Sequence, residues 1–109
     1  MTKQVRQGDV LLIAVPESAI PTLLVSEPRS RTDGVVLAHG EITGHAHVVR
    51  SDRATRFRDD AGGAFLHIAG SVSASLVHEE HATISLAPGW YRQIGQREYR
   101  PEGVKSVVD

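Results

Sequence analysis

Val72-Ser73-Ala74-Ser75-Leu76-Val77 alternates apolar and polar residues, and Ala82-Thr83-Ile84-Ser85-Leu86 does so again after a short charged interruption. A period of two belongs to a strand with one face buried and the other in water. Working outward, the same kind of short run recurs. Val10–Val15 is apolar throughout, enters through Gly8-Asp9 and stops at Pro16, which suits a strand buried on both faces. Ile20–Val25, Gly34–Ala38, His45–Val49, Ala64–Ala69 and Trp90–Tyr99 complete a set of about eight candidate strands. Turn signals separate them: Asp59-Asp60-Ala61-Gly62-Gly63, Gly70-Ser71 and Pro88-Gly89. No long stretch shows an apolar repeat of 3.6, and the region from Pro16 to Ile20 has room for one helical turn. The reading is an all-β chain, mostly antiparallel, folded as a small single-domain barrel or sandwich over residues 1–109.

Composition narrows the function classes. The chain has 109 residues, 40% hydrophobic and 23% charged, which fits one globular domain with its own core. Its formal net charge of −1 gives no global attraction to DNA or to anionic lipid. Cysteine is absent, so disulfides, thiolate metal sites and a cysteine nucleophile are excluded. No stretch approaches the roughly 18–20 apolar residues of a membrane span, and the polar first residues lack the apolar region of a signal peptide. The expectation is a cytoplasmic protein with no membrane partner.

Histidine carries the clearest chemistry. Five of the six fall in two clusters: His39, His45 and His47 in the first, His78 and His81 in the second. On a strand, His45 and His47 would point the same way, about 7 Å apart at the backbone, close enough to share an ion. His39 lies upstream, across a glycine-containing segment that can fold back. His78 and His81 are three apart, a spacing that puts them on opposite faces of a regular strand, so one of them is expected to reach the pair. Glu79 or Glu80 offers a carboxylate. Two or three imidazoles plus one carboxylate suit a divalent transition metal: zinc, iron, manganese, nickel or copper. With an open position such an ion can activate water or bind an oxygen donor, but the residues name no reaction. The spacing in His78-Glu79-Glu80-His81 differs from the His-Glu-x-x-His helix of zinc proteases, and no nucleophile elbow, Walker A or dinucleotide-binding glycine pattern is present. His67, flanked by Leu66 and Ile68, reads as a hydrogen-bonded face or core residue.

Gly40 to His47, together with Leu66 and Pro88-Gly89, resembles the cupins, whose first motif contains a His-x-His pair followed by a glutamate. The resemblance implies a metal held by His45 and His47 inside a small β-barrel. The departures are that Asp52 stands where the glutamate would, and that no histidine follows Pro88-Gly89. Over nearly its whole length the chain also resembles a group of small uncharacterised bacterial proteins. That likeness lies in Arg6-Gln-Gly-Asp-Val-Leu, Gly40-Glu-Ile-Thr-Gly-His-Ala-His, His78-Glu-Glu-His, Pro88-Gly-Trp-Tyr-Arg and Gln96-Arg-Glu-Tyr. It implies no activity.

A rival reading rests on arginine, which supplies ten of the twelve basic residues. Arg50, Arg53, Arg56 and Arg58 surround Phe57, and Arg92, Arg97, Arg100 and Lys105 run beside Trp90, Tyr91 and Tyr99. Arginines beside aromatics on a β-surface can hold single-stranded nucleic acid through phosphate contacts and base stacking. The bland counterpart is a solvated, salt-bridged face. A third class is structural: edge pairing of the long last strand into a homo-oligomer.

Overall fold

The computed structural model describes residues 3–28, 34–39 and 44–95. Its elements are strands, apart from one 3-10 turn at Glu17–Ala19. In chain order the strands are β1 (Gln4–Gln7), β2 (Val10–Val15), β3 (Val25–Ser26), β4 (Val35–His39), β5 (Ala46–Arg50), β6 (Ala54–Arg58), β7 (Ala64–Ile68), β8 (Ala74–Val77), β9 (Ile84–Leu86) and β10 (Gly89–Gly95). They form two antiparallel sheets. One runs β1-β2-β10-β7-β6-β3, the other β4-β5-β8-β9. The sheets are separate rather than closed on each other, so of barrel and sandwich the chain takes the sandwich.

Alternation accounts for the core. Val5, Leu12, Leu66, Ile68 and Tyr91 of the larger sheet meet Val35, Val49, Ala74, Leu76 and Leu86 of the smaller, all buried. Each large side chain so placed contributes roughly 1.5–3 kcal/mol of hydrophobic stabilisation. The opposite face of the smaller sheet carries a second cluster of Val36, Ala46 and Val48, with Val77 against it.

The structure departs from expectation in ways that burial explains. There are ten strands among the described residues, not about eight, because two polar stretches are strands as well. β1 reads as hydrophilic, yet Val5 and Gln7 face inward while Gln4 and Arg6 face solvent. β6 is rich in arginine, yet Ala54 is buried and Thr55, Arg56 and Phe57 are half-buried. Conversely, the strand expected over Ile20–Val25 shrinks to Val25–Ser26, with Leu23 74% and Val25 73% exposed. Pro21 denies that segment a ladder donor. Val72, expected inside, is exposed ahead of β8. In β2 only Val10 and Leu12 are buried, the other positions being half-buried, so the run is buried mainly on one face. The part of the last strand expected beyond Gly95 lies outside the described residues.

Two glycines decide the local path. Gly8, at φ +57°, makes the two-residue β1–β2 turn, a conformation that costs a side-chain-bearing residue more. Gly34 lies so close to β5 that a Cβ there would sit 2.5 Å from the Val49 carbonyl oxygen.

Candidate metal centre

At one end of the sandwich the β1–β2 turn of the larger sheet meets β5 and the β8–β9 connection of the smaller. His47 stands at the centre and is fully buried. The second residue of β5, it faces the same way as Val49, toward the larger sheet. Its ring Nδ1 lies 2.8 Å from Gln7 Oε1. The Gln7 amide nitrogen donates to the carbonyl oxygens of Leu76 (3.1 Å) and Ala82 (2.9 Å). Two carbonyls can be answered only by the NH2 end of the amide, so Oε1 faces the imidazole and Nδ1 is the atom that carries the proton. In the neutral ring the lone pair therefore sits on Nε2. That atom faces the Asp9 carboxylate, with Nε2 and Oδ1 3.5 Å apart.

Two further imidazoles pack against it, and a third, His45, packs on one of these. The His78 ring lies 4.3 Å from that of His47, and the His81 ring 5.8 Å from it and nearly parallel. His78 and His81 are themselves 4.5 Å apart. Both residues of the second cluster thus reach His47, where strand alternation predicts one. His78 comes just after β8 ends, so the period of two no longer applies between positions 78 and 81. His78 Nδ1 accepts the Glu80 backbone N–H at 3.0 Å. His45, one residue ahead of β5, sets its ring edge-on to His78 at 5.6 Å, and its Nδ1 is 3.6 Å from Glu80 Oε1. His39 closes β4 opposite Ala46, and its side chain lies outside the described part of the structure.

The Glu79 carboxylate is engaged by the backbone. Its Oε1 accepts the Ala46 backbone N–H at 3.0 Å, which ties the histidine-bearing connection to the start of β5. That bond is the first cause holding its carboxyl below the ordinary carboxylate range. Its own backbone N–H adds to the shift, desolvation opposes it, and His45 and His78 contribute further lowering. The rings of the cluster are stacked and tilted rather than turned toward one point. Accordingly, among the described residues no three His, Asp or Glu side chains are disposed as a ligand set as they stand.

Gln7 and Asp9 escape a reading based on histidine spacing. Their signal lies in Gln4-Val5-Arg6-Gln7 taken with period two, which places Gln7 on the face of Val5, and in the tight Gly8-Asp9 turn.

The arginines do not form one stripe. Arg50 ends β5 on the smaller sheet. Arg53 packs beside Gly70. Arg56 and Arg58 of β6 both approach Glu27, at 3.7 and 3.0 Å, and Arg58 also donates to the Gly62 carbonyl. Arg97, Arg100, Lys105 and Tyr99 lie outside the described residues. Trp90 is on the outer face of the larger sheet, 4.4 Å from the His67 ring and 5.3 Å from Phe57. Among the described residues no helix is long and apolar enough to cross a membrane.

A family model described as "Domain of unknown function (DUF8820)" matches residues 6–96, a span that includes every residue of the centre. No curated protein and no solved structure matches the chain.

Proposed function

The chain belongs to that family of unknown function, and from its geometry we propose that it binds a divalent transition metal at the end of the sandwich. His47 Nε2 and the Asp9 carboxylate are the anchoring ligands, and a ring from His78 or His81 completes the set. The observation that carries this reading is the Gln7 Oε1–His47 Nδ1 bond of 2.8 Å, with the Asp9 carboxylate 3.5 Å from Nε2 on the other side of the ring. Gln7 holds the Nδ1 proton, as the outer partner of a metal-bound imidazole does, and thereby aims the Nε2 lone pair at a carboxylate. In the neutral ring that lone pair and the carboxylate repel, and a cation between them, a proton or a metal ion, turns the repulsion into attraction. Two ligand atoms of a tetrahedral ion stand about 3.4 Å apart when each is about 2.1 Å from the metal, close to the spacing of Nε2 and Oδ1. Loading turns His78 or His81 about its side-chain bonds and exchanges ring stacking for coordination.

The test uses untagged, chelator-treated protein titrated with Zn(II) in a calorimeter and with Co(II) by absorption. The expected result is one equivalent bound and a rise in melting temperature, since a ligand at a hundred times its Kd stabilises by about 2.7 kcal/mol. Asp9→Asn, at a partly exposed position, keeps the fold and weakens binding at least about tenfold. Binding that is absent, or unchanged in Asp9→Asn and His47→Gln, overturns the proposal.

A further inference from the structure

A second feature lies away from the histidines, where β3 and β6 of the larger sheet face β4 of the smaller. A cavity of about 200 Å³ is lined there by Pro28, Val35, Val36, Leu37 and Ala38, with Glu27 and Arg56 as its charged residues. Arg56 points inward from β6, and its side chain is only 17% exposed. Its Nε is buried and has no hydrogen-bond partner. Burial is the first cause lowering the pKa of this guanidinium; Glu27 opposes that shift and Arg58 adds to it. A buried cationic donor without a bond is costly, and native structures keep one where something else completes it.

Charge counting says what completes it. Glu27 Oε1 lies between the two guanidinium groups, 3.0 Å from Arg58 Nε and 3.7 Å from Arg56 Nε, and it too is buried without a hydrogen-bond partner. Two arginines and one carboxylate leave one positive charge on the trio, and of the two arginines it is Arg56 that lines the cavity. The remaining walls are aliphatic. Gln93 points to the same sheet-to-sheet gap: its amide donates to the Leu37 carbonyl at 2.9 Å, while its own Oε1 is buried without a hydrogen-bond partner.

We propose that this cavity binds a small organic carboxylate, its anionic group on Arg56 and its apolar body against Val35, Leu37 and Ala38. Size limits the class. An aliphatic cavity of about 150 Å³ takes one benzene molecule, so about 200 Å³ has room for a benzene-sized body plus a carboxylate. A guanidinium meets a carboxylate with two parallel N–H···O bonds, which a neutral ligand of the same shape cannot reproduce. The proposal is independent of the metal centre.

The experiment is a titration of ¹⁵N-labelled protein followed by amide shifts, with benzoate and benzyl alcohol as probes of matched shape and different charge. The expected result is saturable shifts at Val35–Ala38 with benzoate, and affinity at least about tenfold weaker for benzyl alcohol, the size of effect one lost charge-assisted bond produces. Arg56→Gln brings benzoate down to the level of benzyl alcohol, and Arg56→Lys, which keeps the charge and stem without the planar fork, falls between. Equal affinity for the two probes on the unaltered protein overturns the proposal, as does the absence of saturable shifts. Benzoate binding unchanged in Arg56→Lys and Arg56→Gln overturns it too.

Discussion

His47 and His67 are both second or fourth residues of five-residue strands, yet they live in opposite surroundings. His47 lies between the sheets, sealed from water, with Nδ1 bonded to Gln7 and Nε2 turned to Asp9. His67 lies on the outer face of the larger sheet, half-buried, its ring stacked on the cross-strand neighbour Trp90. One is held by its nitrogens, the other by its flat face. A histidine's capacity for chemistry therefore depends less on how apolar its flanking residues are than on what fixes its ring nitrogens. Leu66 and Ile68, which flank His67, fill the core, but their own alternation sends the histidine to the other side.

Breaking that contrast produces a graded series. The largest effect is expected for His47→Ala, which removes a fully buried ring and strands Gln7 Oε1, a loss of about 3–4 kcal/mol in urea unfolding. A loss under 1 kcal/mol would show that the centre is not held by this ring. Gln7→Leu comes next, at about 2–3 kcal/mol, because the Leu76 and Ala82 carbonyls lose their donor and His47 Nδ1 its acceptor. Metal titration of Gln7→Leu sharpens the point: its affinity falls about 10–100-fold if the glutamine orients the imidazole. His67→Ala is expected to cost only about 0.5–1 kcal/mol, the worth of a cross-strand stacking pair, and to leave metal affinity unchanged. The smallest effect concerns pH. Glu79 has its carboxyl pKa lowered in the fold from 4.5, so its stabilisation is present above that value and is lost as pH falls through the lower, folded value. Glu79→Gln removes this dependence, and its unfolding midpoint should fall less steeply than that of the unaltered chain below pH 4.5. Parallel acid limbs would mean that the Ala46 bond adds nothing.

Particular residues show where sequence was a sufficient guide. Ala74 and Leu76 are buried with Ser75 exposed between them, as their alternation requires, and the same rule places Val49 two residues after His47. His45 and His47 of the first histidine cluster do converge with His78 and His81 of the second. What stayed hidden depends on partners far along the chain. Gln7 is polar, and only the carbonyls of Leu76 and Ala82, 69 and 75 positions away, make it an inward residue. Arg56 sits in a charged run whose burial comes from β4, not from its neighbours. The reach of both His78 and His81 depends on a connection that leaves extended geometry, where a period of two has no meaning. A grouping of Arg50, Arg53, Arg56 and Arg58 drawn from proximity in the chain is divided by the fold between a sheet end, a turn and the Glu27 pairs.

The order of the larger sheet also has a consequence in time. β10 lies between β2 and β7, paired to both, although among the described residues it is the last strand in the chain order. Until Gly89–Gly95 has been synthesised and inserted, the sheet consists of a β1–β2 hairpin and a separate β7–β6–β3 piece, each showing a raw hydrogen-bonding edge. Such edges invite pairing with other chains, so nascent or truncated forms that stop before Gly89 should aggregate where the longer chain does not. The strand that joins the halves acts as a keystone, and the most vulnerable period in the life of this molecule is the interval before it arrives.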